Sequence, residues 1–188
     1  MTNPADRQDK EKLFLILKQH AFFRERIILS SGKESDYYID ARRVTLLSEG
    51  VYYAARIIWD LARRHSFDAI GGPTLGADPL LGALNVLAHQ DNCPLKTFII
   101  RKAPKAHGKQ QQIEGPLLPE GADCLLVDDV ATTGKAFLQS LDVLAQAGFK
   151  SRTAICLVDR QEGAKEALAA RGCELVSLFT AADFLKDG

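Results

Sequence analysis

The sequence predicts an α/β fold in which a mostly parallel central sheet is flanked by helices on both faces. Three observations carry this. Short apolar runs, several rich in β-branched residues, recur from residue 67 onward. Helical patterns lie between most of them, and Gly148 and Gly172 stand where helices should end. Strands that alternate with helices pair in parallel through right-handed crossovers, which cover both faces of the sheet.

In chain order, the apolar spacing of Leu13, Ile16 and Leu17 predicts a first helix, and short extended pieces follow at Arg26–Leu29 and Tyr37–Ile39. Residues Glu49–His65 carry Ile57, Ile58, Trp59 and Leu61 in an amphipathic pattern. Strands are then expected at Phe67–Ile70, Thr97–Ile100, Cys124–Val127, Ala154–Val158 and Leu175–Leu178, and helices at Asp78–Ala88, Lys135–Ala147 and Glu162–Arg171. One segment breaks the rhythm: RKAPKAHGKQQQIEGPLLPEGAD, between Ile100 and Cys124. It is basic, glycine- and proline-bearing and poor in apolar residues, and a connection of this length inside a compact domain is usually functional or mobile.

The 188 residues suit a single domain of ordinary composition, 46% hydrophobic and 26% charged. Twenty-four basic and 24 acidic side chains cancel, so no global field draws the chain to nucleic acid or to a membrane. Any anion it binds must be held locally. Cys93, Cys124, Cys156 and Cys173 lack the close pairs of a zinc site, and three of them sit in apolar runs as buried thiols do. Residues 1–12 are polar, without the apolar core of a signal peptide, so a reduced cytoplasmic setting is expected.

The strongest chemical signal is CLLVDDVATTGKA, residues 124–136. A buried strand ends in two acids, and a small polar turn then opens a helix. In open α/β sheets, ligands lie beyond the carboxyl ends of strands. The turn Ala131-Thr132-Thr133-Gly134 can aim backbone N–H groups at one anion, and the following helix adds its positive end. Asp128 and Asp129 would repel a bare phosphate, so they should face ribose hydroxyls or a bound divalent cation. The segment matches neither a Walker loop nor a dinucleotide fingerprint.

These residues resemble the phosphoribosyl pyrophosphate signature of the type I phosphoribosyltransferases. The resemblance implies that family's fold, with a small amino-terminal hood (about 1–45) over a core (about 46–188). It gives Asp128 and Asp129 the ribose, with Asp129 catalytic, and gives the 5′-phosphate to Val130, Ala131, Thr132, Thr133, Gly134, Lys135 and Ala136. Three further stretches are similar to the orotate members in particular. In LSSGKESDYYID, residues 29–40, Ser30 and Tyr38 are implied to contact orotate. In GGPTLGADP, residues 71–79, Thr74, Leu75 and Gly76 are implied to hold pyrophosphate, although Leu75 and Ser30 stand where many members carry lysine.

The third stretch, RKAPKAHG, begins a loop (about 102–116) that in the family closes over the site and, in a homodimer, reaches the neighbouring subunit. The resemblance makes Arg101, Lys105 and His107 catalytic and lets Lys102 bind the phosphorylated sugar. Arg160, in VDRQE, is given the orotate carboxylate, and Thr132 a contact to the base. Mg²⁺ is the implied cofactor, held mainly by substrate and water rather than by protein ligands. The expected substrates are orotate and phosphoribosyl pyrophosphate. Two alternatives stay open from sequence: transfer to another base, and a non-catalytic regulator on the same fold.

Overall fold

The computed structural model describes residues 4–28, 34–103 and 112–186. Helix α1 (Pro4–His20) leads into four two-residue strands, β1 (Phe22–Phe23), β2 (Ile27–Ile28), β3 (Glu34–Ser35) and β4 (Tyr38–Ile39). These pair antiparallel, β1 with β4 and β2 with β3. Helices α2 (Arg42–Thr45) and α3 (Ser48–Ala62) complete the amino-terminal part. The alternating region follows as β5 (Ala69–Pro73), α4 (Asp78–Gln90), β6 (Thr97–Ile100), β7 (Ile113–Glu114), β8 (Asp123–Ala131), α5 (Lys135–Gln146), β9 (Lys150–Asp159), α6 (Ala164–Ala169), β10 (Glu174–Thr180) and α7 (Ala181–Leu185).

The main sheet has the order β10-β9-β8-β5-β6-β7. Every neighbouring pair is parallel except β6 with β7. The apolar runs are continuous because both faces are covered. Along β8, Leu125 and Val127 enter the core shared with α1, α3 and α4, whereas Cys124 and Leu126 enter the core under α5 and α6. On the second face Phe137, Leu141 and Leu144 of α5 and Leu168 of α6 are the buried anchors. Such a side chain contributes about 1.5–3 kcal/mol when fully buried.

Strand order reverses at one place. From β5 the chain steps outward to β6 and β7, then returns to β8 on the opposite side and proceeds outward again. The carboxyl ends of β5 and β8 therefore feed connections that diverge, and a crevice opens between them.

Several boundaries differ from expectation for identifiable reasons. The β8 ladder runs on to Ala131, so Asp128 and Val130 pair with Cys156 and Val158 inside the strand instead of following it. A ladder needs only backbone groups, so polar side chains do not end it. Strand β5 lies about two residues later than Phe67–Ile70 and includes Gly71 and Gly72. Glycine is depleted in strands, yet here the Phe98 ring and the Val127 carbonyl occupy the space a side chain would need. Helix α6 is shorter than Glu162–Arg171; it starts after Gly163, at φ +102°, while Glu162 serves a side-chain contact. The pattern gave no warning of β1, β3, β7, α2 or α7, each five residues or fewer. Among the described residues no helix is long and apolar enough to cross a membrane.

Candidate active site

A cleft of about 500 Å³ opens at the reversal between β5 and β8, and a second concavity of about 350 Å³ adjoins it around residues 130–137. The cleft is floored by Asp128, Asp129 and Val130 of β8, and walled by the turn Pro73–Gly76 after β5. Tyr38, Asp40 and Arg42 close it from the amino-terminal part, Arg160 from the end of β9, and Lys102 from the end of β6. Five segments far apart in sequence thus meet at one point.

The two acids are locked by their neighbours' amides. The Asp129 N–H donates to Asp128 Oδ1 at 2.9 Å, and the Val130 N–H donates to Asp129 Oδ1 at 2.8 Å. Burial pushes the Asp128 carboxyl well above the usual carboxylate range, and the charge of Asp129 adds to this, with a smaller contribution from Asp78. Burial raises Asp129 as well; the hydrogen bond with Asp128, the Val130 amide and the Arg42 guanidinium pull the other way. Asp128 therefore holds a proton more readily than an ordinary carboxyl does, and a ligand offering hydroxyl donors or positive charge would shift it back toward the ionised form. Gly76 is packed directly against both carboxylates, so a side chain at 76 would collide with Asp128 and lie 2.5 Å from Asp129 Oδ1. The peptide joining Thr74 to Leu75 is cis.

Backbone N–H groups without acceptors flank the acids on both sides. Thr132, Thr133 and Gly134 donate to no acceptor among the described residues, and neither do Leu75 and Gly76. Gly134 takes φ +78°, a left-handed conformation open to glycine, and a Cβ there would also lie 2.8 Å from Leu168. Helix α5 starts at Lys135, so its positive end faces the same concavity. Ala131, Thr132, Thr133, Gly134, Lys135 and Ala136 all line it, and Thr132 and Ala136 line the cleft too. The arrangement offers two anion cradles with a pair of acids between them.

Arg160 is 5% exposed. Its Nε donates to Glu162 Oε1 at 2.8 Å and its Nη2 to Ser35 Oγ at 3.3 Å, while the Tyr37 ring lies 4.8 Å from its guanidinium carbon. Tyr37 in turn stacks on Phe22 at 5.9 Å, so the aromatic pair divides its work: Tyr37 holds the arginine and Tyr38 lines the cleft. A buried, oriented guanidinium at the cleft wall suits a planar carboxylate.

The structure thus brings together Tyr38, Thr74, Leu75, Gly76, Lys102, Asp128, Asp129, Val130, Thr132, Ala136 and Arg160. Arg101 stands apart. Its guanidinium sits 3.3 Å from Glu114 Oε1, its N–H donates to Gln112 O, and it does not line the cleft. Ser30, Lys105 and His107 lie outside the described residues. Sequence reasoning overlooked Asp40 and Arg42, which line the cleft and pair at 3.1 Å, and also Ser35, Glu162 and Asp78. Ser35, Asp40, Asp78 and Glu162 fall inside the stretches quoted above, but their own roles were not read from them, and Arg42 lies outside every stretch. Only the topology brings them to the site. Among the described residues no group of three or more His, Cys, Asp or Glu is placed to hold a metal.

Comparison with known proteins identifies the family. Residues 45–181 match the phosphoribosyl transferase domain family. An orotate phosphoribosyltransferase of Nostoc sp. is 40% identical over 174 residues, covering 93% of this chain and 84% of that protein. One from Rhodopirellula baltica is 35% identical, covering 98% of each. The crystal structure of the Mycobacterium tuberculosis orotate phosphoribosyltransferase in complex with 5-phospho-alpha-D-ribosyl 1-diphosphate aligns at TM-score 0.76 and 30% identity, covering 94% of this chain and 98% of that one. On the family match over residues 45–181, the shared fold and near full-length kinship, the chain belongs to the orotate phosphoribosyltransferases of the phosphoribosyl transferase domain family.

Proposed function

We propose that this chain is a pentosyltransferase that moves the phosphoribosyl group of 5-phosphoribosyl 1-pyrophosphate to orotate, giving orotidine 5′-monophosphate and pyrophosphate, a step of pyrimidine (UMP) biosynthesis. One observation carries the reading: amides at 132–134, the Asp128–Asp129 pair and amides at 75–76 follow one another through the adjoining concavity and the cleft, and among the described residues these amides have no acceptor. A 5′-phosphate, a ribose with two hydroxyls and a 1-diphosphate occur in the same order along the substrate. The Arg160 guanidinium is then in position to take the orotate carboxylate, and Tyr38 to cover its ring.

The protein's work is positioning and charge stabilisation. Asp128 and Asp129 accept hydrogen bonds from the ribose hydroxyls and give up the proton their burial favours. As the bond from the anomeric carbon to pyrophosphate stretches, positive charge grows on the ribose, and Asp129 lies on the side to stabilise it. Lys102 and Lys105 supply positive charge to the departing pyrophosphate, and His107 of the loop donates a hydrogen bond to it. Arg101 joins them only by leaving Glu114. Orotate's ring nitrogen attacks the opposite face of the ribose.

An all-oxygen, electronegative floor of Asp128 and Asp129 fits a hard divalent cation reached through water. When bound there with the substrate, such an ion would neutralise charge on the diphosphate. The protein works as a cytoplasmic homodimer of one-domain subunits, each with a hood, a core and a loop that serves its neighbour's site.

The reaction is followed by the loss of orotate absorbance on adding phosphoribosyl pyrophosphate and Mg²⁺, beside uracil, adenine and hypoxanthine as competing bases. Consumption of orotate alone is expected. Preferential transfer to a purine, or no turnover with any base, would overturn the assignment.

A further inference from the structure

We propose that Asp78 is the positioning residue of the turn 74–77: through Thr74 it sets the shape in which Leu75 and Gly76 offer their N–H groups to the diphosphate. This deepens the phosphoribosyl-transfer reading and rests on it. Asp78 is the first residue of α4, and its Oδ2 accepts the Thr74 hydroxyl at 2.8 Å. The ends of the turn are pinned by backbone bonds, Thr74 N–H to Ile100 O at 3.0 Å and Ala77 N–H to Pro73 O at 3.2 Å. Between them the Leu75 and Gly76 amides have no acceptor among the described residues.

A hydroxyl has a single hydrogen, and that of Thr74 is spent on Asp78, so its oxygen is left as an acceptor only. Thr74 therefore offers no side-chain donor to a phosphate oxygen. Leu75, 61% exposed at the mouth of the cleft, offers none either. The turn must hold its anion by backbone amides alone, and the Thr74–Asp78 clasp fixes where those amides point.

The clasp is also costly in the free protein. Asp78 Oδ1 is shut away from solvent with no hydrogen-bond partner among the described residues, and its charge adds to the burden on Asp128. A side chain kept only for folding would not be expected to place a third carboxylate beside two buried ones. Asp78 stands in the first turn of α4, where the positive end of the helix favours an acid, and within that turn its Oδ2 is committed to the Thr74 hydroxyl.

The test compares binding of inorganic pyrophosphate with Mg²⁺ and of ribose 5-phosphate, by calorimetry, to the wild type and to Asp78→Ala, Thr74→Val, Thr74→Ser and the double variant Asp78→Ala/Thr74→Val. Loss of one clasping hydrogen bond is expected to weaken pyrophosphate about tenfold in either single variant. The KM for phosphoribosyl pyrophosphate should rise in step, with ribose 5-phosphate affinity and the KM for orotate changing less than about twofold. The double variant should be no worse than either single one, because both break the same bond. Thr74→Ser, which keeps the hydroxyl, should recover most of what Thr74→Val loses.

Equal weakening of both ligands, additive losses in the double variant, or unchanged pyrophosphate affinity would each overturn the role given to Asp78. Should Asp78→Ala fail to fold, the two Thr74 variants carry the comparison. A wild-type protein that binds neither ligand takes down the transfer reading itself, a result distinguishable from the others.

Discussion

Asp128 is held in the fold against its own preference. Burial and the charge of Asp129 raise its folded-state pKa above that of the unfolded chain, so between the two values the folded protein binds the extra proton. Stability must then fall as pH rises through that window, and it is recovered below the ordinary carboxylate range. Asp128→Asn removes the charge yet keeps an oxygen to accept the Asp129 N–H. Thermal unfolding should show a higher Tm at neutral pH, about 2–4 °C for each kcal/mol recovered, and no gain near pH 3. Binding of the phosphorylated sugar should weaken in the same variant, a trade of function for stability. A neutral-pH Tm that fails to rise would show that the charge is already neutralised by other means. Arg160 gives the complementary case. Its planar fork is oriented by Glu162, Ser35 and Tyr37, and a lysine can reproduce the charge but not the fork. Steady-state kinetics of Arg160→Lys should show the KM for orotate raised by roughly 10- to 100-fold, with the KM for phosphoribosyl pyrophosphate little changed.

At the scale of elements, the site depends on two turns meeting across the β5–β8 crevice. Gly76 is the point of contact, and Gly76→Ala must push the first turn away from the acids. A displacement near 1 Å costs on the order of 100-fold when it separates groups that act together, so affinity for phosphoribosyl pyrophosphate should fall by about that factor. The circular dichroism spectrum should stay native, since Gly76 itself belongs to neither core. Wild-type affinity in this variant would remove the turn from the site.

The same elements show what a sequence exposes and what it hides. Strand β6 coincides with its apolar run Thr97–Ile100, and the loop 131–136 lies where a small polar turn following two acids must lie, because local patterns define them. The reach of β8 through its own acids was hidden, since ladder pairing is set by the partner β9 and not by the side chains. Arg42 and Asp40 were hidden for a related reason. Asp40 ends the stretch 29–40 and Arg42 follows it, but neither carries a role legible there, and tertiary packing turns both toward Asp129. Arg101 was legible as a loop cation but not in its pairing, because Glu114 arrives from β7, a two-residue strand with no periodic signal.

For the molecule as a whole, 24 positive and 24 negative side chains leave no long-range pull on an anion, so affinity for a polyphosphate must come from a local arrangement. The order of amides, acids and amides along one crevice is that arrangement. If the loop serves the neighbouring subunit, Lys105→Ala and Asp129→Asn proteins should each be nearly inactive alone yet complement when unfolded and refolded together. Random pairing yields about half hybrid dimers with one intact site each, so activity should return to about a quarter of wild type. No recovery on mixing would confine each loop to its own subunit.

The most direct measurement of the central claim is calorimetric titration of the wild-type chain with phosphoribosyl pyrophosphate and Mg²⁺, in two buffers of different ionisation enthalpy. The account predicts one site per subunit with a Kd in the range of about 1 μM to 1 mM, and release of protons to the buffer as Asp128 ionises. Absence of binding at millimolar sugar phosphate, with or without the metal, would contradict it.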